Sequence, residues 1–329
     1  MTYHYRGLIT LGRLLQVALS CHWETVVKTI AICYQGRKQE TASYANQLAP
    51  FLQKQGYRVR IFGLHTEERH DPEISLQGCD IALVLGGDGT IVHAARLCCD
   101  LDIPIVAINF GRVGFLTELE PHEVLTHLHH YLEQDSSVWV DERAMLHATL
   151  TQDNTSEEFL ALNDVVVARG TWPRGVRVQV WVDNHYYNTT YADGMIISTA
   201  TGSTAYNMAA GGPLLHPQVQ SSILTPIAPH LASNRSLILQ PGACVKLRIY
   251  TGSQNGVFSA DGQINREIKD GALVSVQKSP YVTKFLRRRP PTYFYQIITA
   301  KLKNDGLQPI ESLAVDTDIA EATEHNHVT

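Results

Sequence analysis

The chain has 329 residues, 44% of them hydrophobic and 18% charged, and a formal net charge of −5. This is the composition expected of a soluble globular protein, and the length leaves room for two domains of ordinary size. Six acids and no Lys or Arg fall between Asn304 and Thr329, so the body of the chain carries about +1, too neutral for a nucleic-acid surface.

The first 25 residues, with Arg6 and Arg13 around short apolar segments, read as an N-terminal extension without the cleavage site of a signal peptide. No apolar run reaches the roughly 18 to 20 residues of a membrane span, so no membrane partner is expected. The six cysteines contain no C-x-x-C, which argues against a zinc site or disulfide framework and for a reduced, cytoplasmic setting.

Lys28 to Tyr34 reads as a buried strand, Thr41 to Gln55 as a helix closed by Gly56, and Tyr57 to Phe62 as a second strand. Ile81 to Leu85 is a third strand, followed by Gly86-Gly87-Asp88-Gly89-Thr90 and a helix to Cys99. Ile103 to Asn109 is a fourth strand, and Pro121 to Leu132 a helix. Strands alternating with helices predict a parallel, Rossmann-like sheet, whose ligands gather at the carboxyl ends of the strands. The turns at Gly86 to Thr90 and Asn109 to Phe115 would share that edge.

Glycines at 86, 87 and 89 permit φ > 0 and expose main-chain N–H groups to an anion at a helix start. One carboxylate in such a turn is a poor choice for binding phosphate alone, which points to phosphoryl transfer. The same residues also suit a plain strand-to-helix turn with Asp88 as N-cap. The chain has no Walker run and no clean G-x-G-x-x-G.

After about residue 140 the period changes. Val138 to Leu150, Leu160 to Ala168, Val176 to Val182 and Cys244 to Tyr250 read as strands with few helices between them, which predicts a β-rich, mainly antiparallel C-terminal domain. The domains expected are therefore 26–140 and 141–285, with 286–303 packing back on the first and 304–329 an acidic tail. Ser198 to Thr204 carries five hydroxyl side chains, suited to sugar or phosphate oxygens or, alternatively, to satisfying their own backbone. A helix over Ala205 to Ala210 would put Thr201 to Thr204 at its N-terminus. Asn163-Asp164 interrupts a strand and suits either ribose and adenine recognition or a strand end.

Gly-Gly-Asp-Gly-Thr at 86–90, Leu-Asn-Asp at 162–164 and the segment from Asp193 to Pro213 together resemble the NAD kinases, from about Lys28 to Lys303. The resemblance implies transfer of a phosphoryl group from ATP or polyphosphate, with Mg²⁺ or another divalent cation, to the 2′-hydroxyl of the adenosine ribose of NAD. It makes Asp88 the proton acceptor, with Gly86, Gly87, Gly89, Thr90 and His93 beside it. Asn163 and Asp164 match the adenosine-binding pair, though many members have Glu in place of Asp164. Arg174, Tyr191 and Asp193 fall at further NAD-binding positions. Thr204, Ala205 and Tyr206 match the family's nucleotide-contacting triplet, within a binding segment that includes Thr201, Ser203, Asn207, Met208 and Ala209, and Gln263 matches a late contact. Ala200 and Ser236 stand where relatives usually have Pro. No metal-ligating side chain is assigned, and the family implies a homodimer or homotetramer. A lipid kinase sharing the glycine turn and a non-catalytic NAD-binding regulator are the competing readings.

Overall fold

The computed structural model describes residues 28–64, 74–171, 174–230 and 235–302; the expected N-terminal extension and acidic tail lie outside them. The first half alternates: β1 (Thr29–Gln35), α1 (Gln39–Lys54), β2 (Arg58–Leu64), β3 (Ile81–Gly86), α2 (Asp88–Cys98), β4 (Ile105–Asn109) and α3 (Val124–Glu133). Gly56 closes α1 at φ +92°. Its N–H bonds to Gln53 and the next to Leu52, the two bonds of a Schellman cap.

The strands of this half pair in parallel in the order β2-β1-β3-β4. Successive side chains point to opposite faces, so both faces are apolar where helices cover both. Ile30, Ile32, Ile81, Leu83 and Leu85 pack with α1 and α3, whereas Ala31, Cys33, Ala82 and Val84 pack with α2. Those smaller residues, with Ala94 and Ala95 on α2, leave little side-chain bulk between sheet and helix. The start of α2 is thereby held at the carboxyl ends of β1, β3 and β4.

The second half contains β5 (Trp139–Gln152), β6 (Thr155–Ala161), β7 (Asp164–Arg169), β8 (Val176–Val182), β9 (His185–Ala192) and β10 (Gly194–Ser198). After the single turn α4 (Tyr206–Ala209) come β11 (Ile223–Ile227), β12 (Leu237–Ile238), β13 (Val245–Tyr250), β14 (Gly256–Ala260), β15 (Ile264–Ile268), β16 (Leu273–Arg287) and α5 (Tyr293–Leu302). Asp183 and Asn184, at φ 50° and 65°, form the expected turn between β8 and β9.

Six strands form an antiparallel sheet in the order β12-β11-β10-β7-β14-β15. The other strands of this half extend the first sheet rather than forming a separate one, because β16 pairs with β5 and β13 and then runs parallel to β4 at Phe285 and Ile105. Its end is shared between both cores of the first half, Phe285 on one face and Leu286 on the other.

Leu160 to Ala168 is interrupted where expected, breaking at Asn163 between β6 and β7, whereas one expected element differs. Ala205 to Ala210 is not a full helix but one turn preceded by a 3-10 turn over Thr201–Thr204, too short to present a helix-terminal anion site.

Candidate active site

The turn after β3 uses no left-handed residue: Gly86, Gly87 and Gly89 are absent from the positive-φ glycines, so the expected reason for them is not the operative one. Their reasons differ from one another. A Cβ on Gly86 would lie 2.5 Å from Thr90 Oγ1, so packing requires that glycine. At Gly87 a Cβ would meet nothing within 4 Å, and at Gly89 only Gln263 at 3.8 Å. Neither site is filled by the protein.

Asp88 is not the N-cap. Gly87 occupies that position without a side-chain bond, and Asp88 is the first helical residue. Its carboxylate instead accepts from the N–H groups of Phe115 at 2.9 Å and Leu116 at 3.1 Å, in the second glycine turn. Gly114 makes room for it, since a Cβ there would sit 2.1 Å from Asp88 Oδ1. The two turns expected to share an edge are thus joined through Asp88.

Between them opens a cleft of about 350 Å³ lined by Gly87, Gly89, Thr90, His93, Gly111 and Gln263. Arg37, Lys38 and Arg112 also line it, all exposed. Lys38 donates to the Phe110 carbonyl at 2.8 Å, which ties the end of β1 to the second turn. Sequence reading missed Arg37 and Lys38 as site residues and left Arg112 without a role. The signal was there: these residues follow the carboxyl ends of β1 and β4, where ligands of such sheets collect.

On the opposite side, the main chain of 162–164 is gathered around one carboxylate. Asp261 accepts from the N–H groups of Leu162 at 3.1 Å, Asn163 at 2.7 Å and Asp164 at 3.3 Å. These bonds bend the chain out of the β6 ladder, which explains the strand break. Asp164 is 4% exposed, and burial, with the neighbouring charge of Asp261, raises its pKa to about 7. Asp261 is itself ion-paired with Arg96 at 2.8 Å, both side chains fully buried.

The hydroxyl-rich segment closes over this turn, with its hydroxyls facing inward. Thr199 Oγ1 donates to the Leu162 carbonyl at 2.6 Å, and Ser198 Oγ to that of Thr199 at 2.9 Å. Thr201 accepts from Arg143, Ser203 bonds Leu215, and Thr204 donates to Thr201. Gly202 lies flat on the turn, where a Cβ would meet the Asn163 carbonyl at 2.0 Å. Asn207 is fully buried, donating to Ser203 and Pro213 and accepting from Thr225 at 2.7 Å. The expected binding members Thr201, Ser203 and Asn207 therefore build the loop, and Thr204, Ala205, Tyr206, Met208 and Ala209 form its accessible surface.

The structure does not bring every expected residue together. Ser198 pairs with Asp164 at one end of β10, while Asp193 precedes its other end, roughly 17 Å away at strand spacing. Asp193 is ion-paired with Arg169 at 3.0 Å, and the exposed Tyr191 packs its ring edge against His230. Arg174 is exposed on the segment before β8. Gln263 does reach the turn: its amide donates to the Gly89 carbonyl at 2.8 Å and accepts from Arg96 at 2.5 Å.

Arg287 is buried, with bonds to the Leu116 carbonyl at 2.9 Å and to Glu118 and Asp141. It braces from behind the segment whose N–H groups hold Asp88. Arg143 and Arg287 together keep Asp141 ionised below its ordinary range despite burial, which acts in the opposite direction.

Two family models match the chain, the ATP-NAD kinase N-terminal domain over 64–136 and the ATP-NAD kinase C-terminal domain over 162–288. An NAD kinase of Dehalococcoides mccartyi is 38% identical over 281 residues, 85% of this chain and 97% of its own. One from Chloroflexus aurantiacus is 34% identical over 279 residues, 84% of this chain and 99% of its own. In fold the chain is similar to yeast NADH kinase complexed with NADH, with TM-score 0.74 at 22% identity, covering 88% of this chain and 92% of that one. It is also similar to an NAD kinase from Archaeoglobus fulgidus in complex with ATP, with TM-score 0.66 at 24% identity over 85% of this chain and 100% of that one. With two domains of one family matched in order, and relatives covered almost end to end, the chain belongs to the NAD kinase family, enzymes that phosphorylate NAD.

Proposed function

We propose that the cleft at 86–90 receives the triphosphate of ATP and that the 162–164 turn, closed by the 198–206 loop, receives the adenosine half of NAD. The observation that carries the donor assignment is the pair Gly87 and Gly89, where the protein offers no packing reason for glycine. What the missing side chains leave open is main chain at a helix start, faced by Arg37, Lys38 and Arg112. Asn163 is half-buried and Asp164 supplies a carboxyl at the same turn, a pairing suited to ribose hydroxyls and the adenine amino group.

Asp88 then orients the 2′-hydroxyl. As the ribose oxygen bonds to the γ-phosphorus and the bond to the β–γ bridging oxygen breaks, ADP leaves and the hydroxyl proton passes to the carboxylate. A carboxylate is a weak base towards an alcohol, so the proton moves late and positioning supplies most of the catalysis. Its two bonds from Phe115 and Leu116 fix the carboxylate before substrate arrives.

The described residues do not form a cage for a resident metal, since no three His, Cys, Asp or Glu side chains among them cluster to hold one. Mg²⁺ or another divalent cation is expected to arrive with the triphosphate, whose oxygens supply ligands. On the family resemblance a homodimer or homotetramer with sites near subunit contacts is expected, which would let Tyr191, Asp193 and Arg174 of one subunit serve the site of another. Sedimentation with and without NAD tests that assembly. Among the described residues no helix is long and apolar enough to cross a membrane, and a cytoplasmic location is proposed on the family resemblance.

The donor assignment is tested by following NADP formation from NAD, ATP and Mg²⁺, with polyphosphate as a parallel donor. Arg112→Ala is expected to raise the KM for ATP by about tenfold, the value of one charge-assisted bond, with the KM for NAD unchanged. A rise in the NAD value alone would move the acceptor into this cleft.

A further inference from the structure

Arg96 lies eight residues beyond Asp88 on α2, about 12 Å along the axis, with a fully buried side chain. One of its nitrogens donates to Asp261 at 2.8 Å and another to Gln263 at 2.5 Å. From there the contacts diverge. Asp261 holds the N–H groups of Leu162, Asn163 and Asp164, whereas Gln263 donates to the carbonyl of Gly89. One guanidinium therefore connects, through a single side chain on each arm, to both halves of the site.

We propose that Arg96 is a positioning residue that sets the distance between donor turn and acceptor turn, holding the Asn163–Asp164 main chain through Asp261 and the Gly89 peptide through Gln263. The inference rests on the donor and acceptor assignments made above. Three physical points support it. A planar guanidinium holds two acceptors in fixed geometry, which a lysine ammonium does not. A buried ion pair contributes little net stability compared with apolar packing, so fold stability alone is a weak reason for this one. Both arms pass through the turn between β14 and β15, 165 and 167 residues from Arg96, which ties the 162–164 main chain to the helix that begins at Asp88, and phosphoryl transfer between separately bound substrates is sensitive to about 1 Å of misplacement.

The test is steady-state kinetics of NADP formation on the full chain, with thermal unfolding beside it, for Arg96→Lys, Asp261→Asn and Gln263→Leu. Arg96→Lys is expected to fold and to lose about 100-fold in kcat/KM for NAD, with the KM for ATP within about threefold. Asp261→Asn should mainly raise the KM for NAD, and Gln263→Leu should mainly lower kcat, because each cuts one arm. A folded Arg96→Lys with kcat and both KM values within about twofold of the parent overturns the proposal. So does a loss that follows the folded fraction alone. If Arg96→Lys does not fold, the split between the other two variants decides: distinct KM and kcat effects support the proposal, and identical or absent effects overturn it. Absence of NADP formation by the parent would instead remove the substrate assignments on which the inference rests.

Discussion

At 87–89 the glycines are left without packing, with open space beside Gly87 and only Gln263 near Gly89, whereas at 198–204 every hydroxyl is turned onto the protein and Gly202 is pressed against the Asn163 carbonyl. Both segments are rich in small and polar residues, and in sequence both read as loops that meet a ligand, the first with main-chain N–H groups and the second with hydroxyl side chains. The difference lies in where the bonding groups go. A hydroxyl near main chain is satisfied locally, which makes a stiff loop whose contribution to binding is its shape. A glycine with no neighbour has no such local use, and its value lies in what approaches it.

The comparison predicts opposite responses to one added methyl group. Gly202→Ala drives a Cβ into the backbone of Asn163 and is expected to cost roughly 4–5 kcal/mol, enough to abolish cooperative thermal unfolding at growth temperature. Gly89→Ala should leave stability within about 0.5 kcal/mol, since only Gln263 lies nearby, while kcat/KM for ATP falls by about 100-fold. A destabilised but fully active Gly89→Ala would erase the distinction. Asn207→Ala, which removes the amide donor to the Ser203 and Pro213 carbonyls and one of the two partners of the buried Thr225 hydroxyl, should cost about 2 kcal/mol in chemical denaturation with KM values little changed.

The last effect expected is one of pH. The Asp164 carboxyl has its pKa raised to about 7 in the folded chain by burial and then by Asp261. Its protonation therefore favours the folded state: that contribution is complete below the ordinary carboxylate pKa and is lost as pH rises through about 7. Asp164→Asn should accordingly gain stability relative to the parent as pH rises from about 4 to about 7 and hold that gain above it, as read by denaturant midpoints. A constant difference across that range would mean that the group is ionised throughout.

Much of the fold was legible because β1, α1, β3, α2 and β4 each satisfy a local rule, apolar runs bounded by glycine or polar turns. Asp88 and the Asn163–Asp164 pair were also legible as candidates for the chemistry proposed above. What was hidden depended on distant partners. Nothing near Asp88 says that its carboxylate is held by Phe115 and Leu116, 27 and 28 residues on, so an N-cap was an equal reading. The strand break at Asn163 is caused by Asp261, about 98 residues later. Arg37 and Lys38 could have been found, because the rule that ligands gather at strand ends applies to β1 as much as to β3. The inward turn of the hydroxyls could not, since composition gives their number and not their direction.

The central claim, that the donor turn presents Asp88 to the acceptor hydroxyl, is tested most directly by Asp88→Asn, measured for NADP formation and for NAD binding by calorimetry on the same preparation. The account predicts NAD affinity within a few-fold of the parent and turnover lower by about 10²- to 10⁴-fold, the range of a lost acid–base group. Turnover within a few-fold of the parent would contradict it.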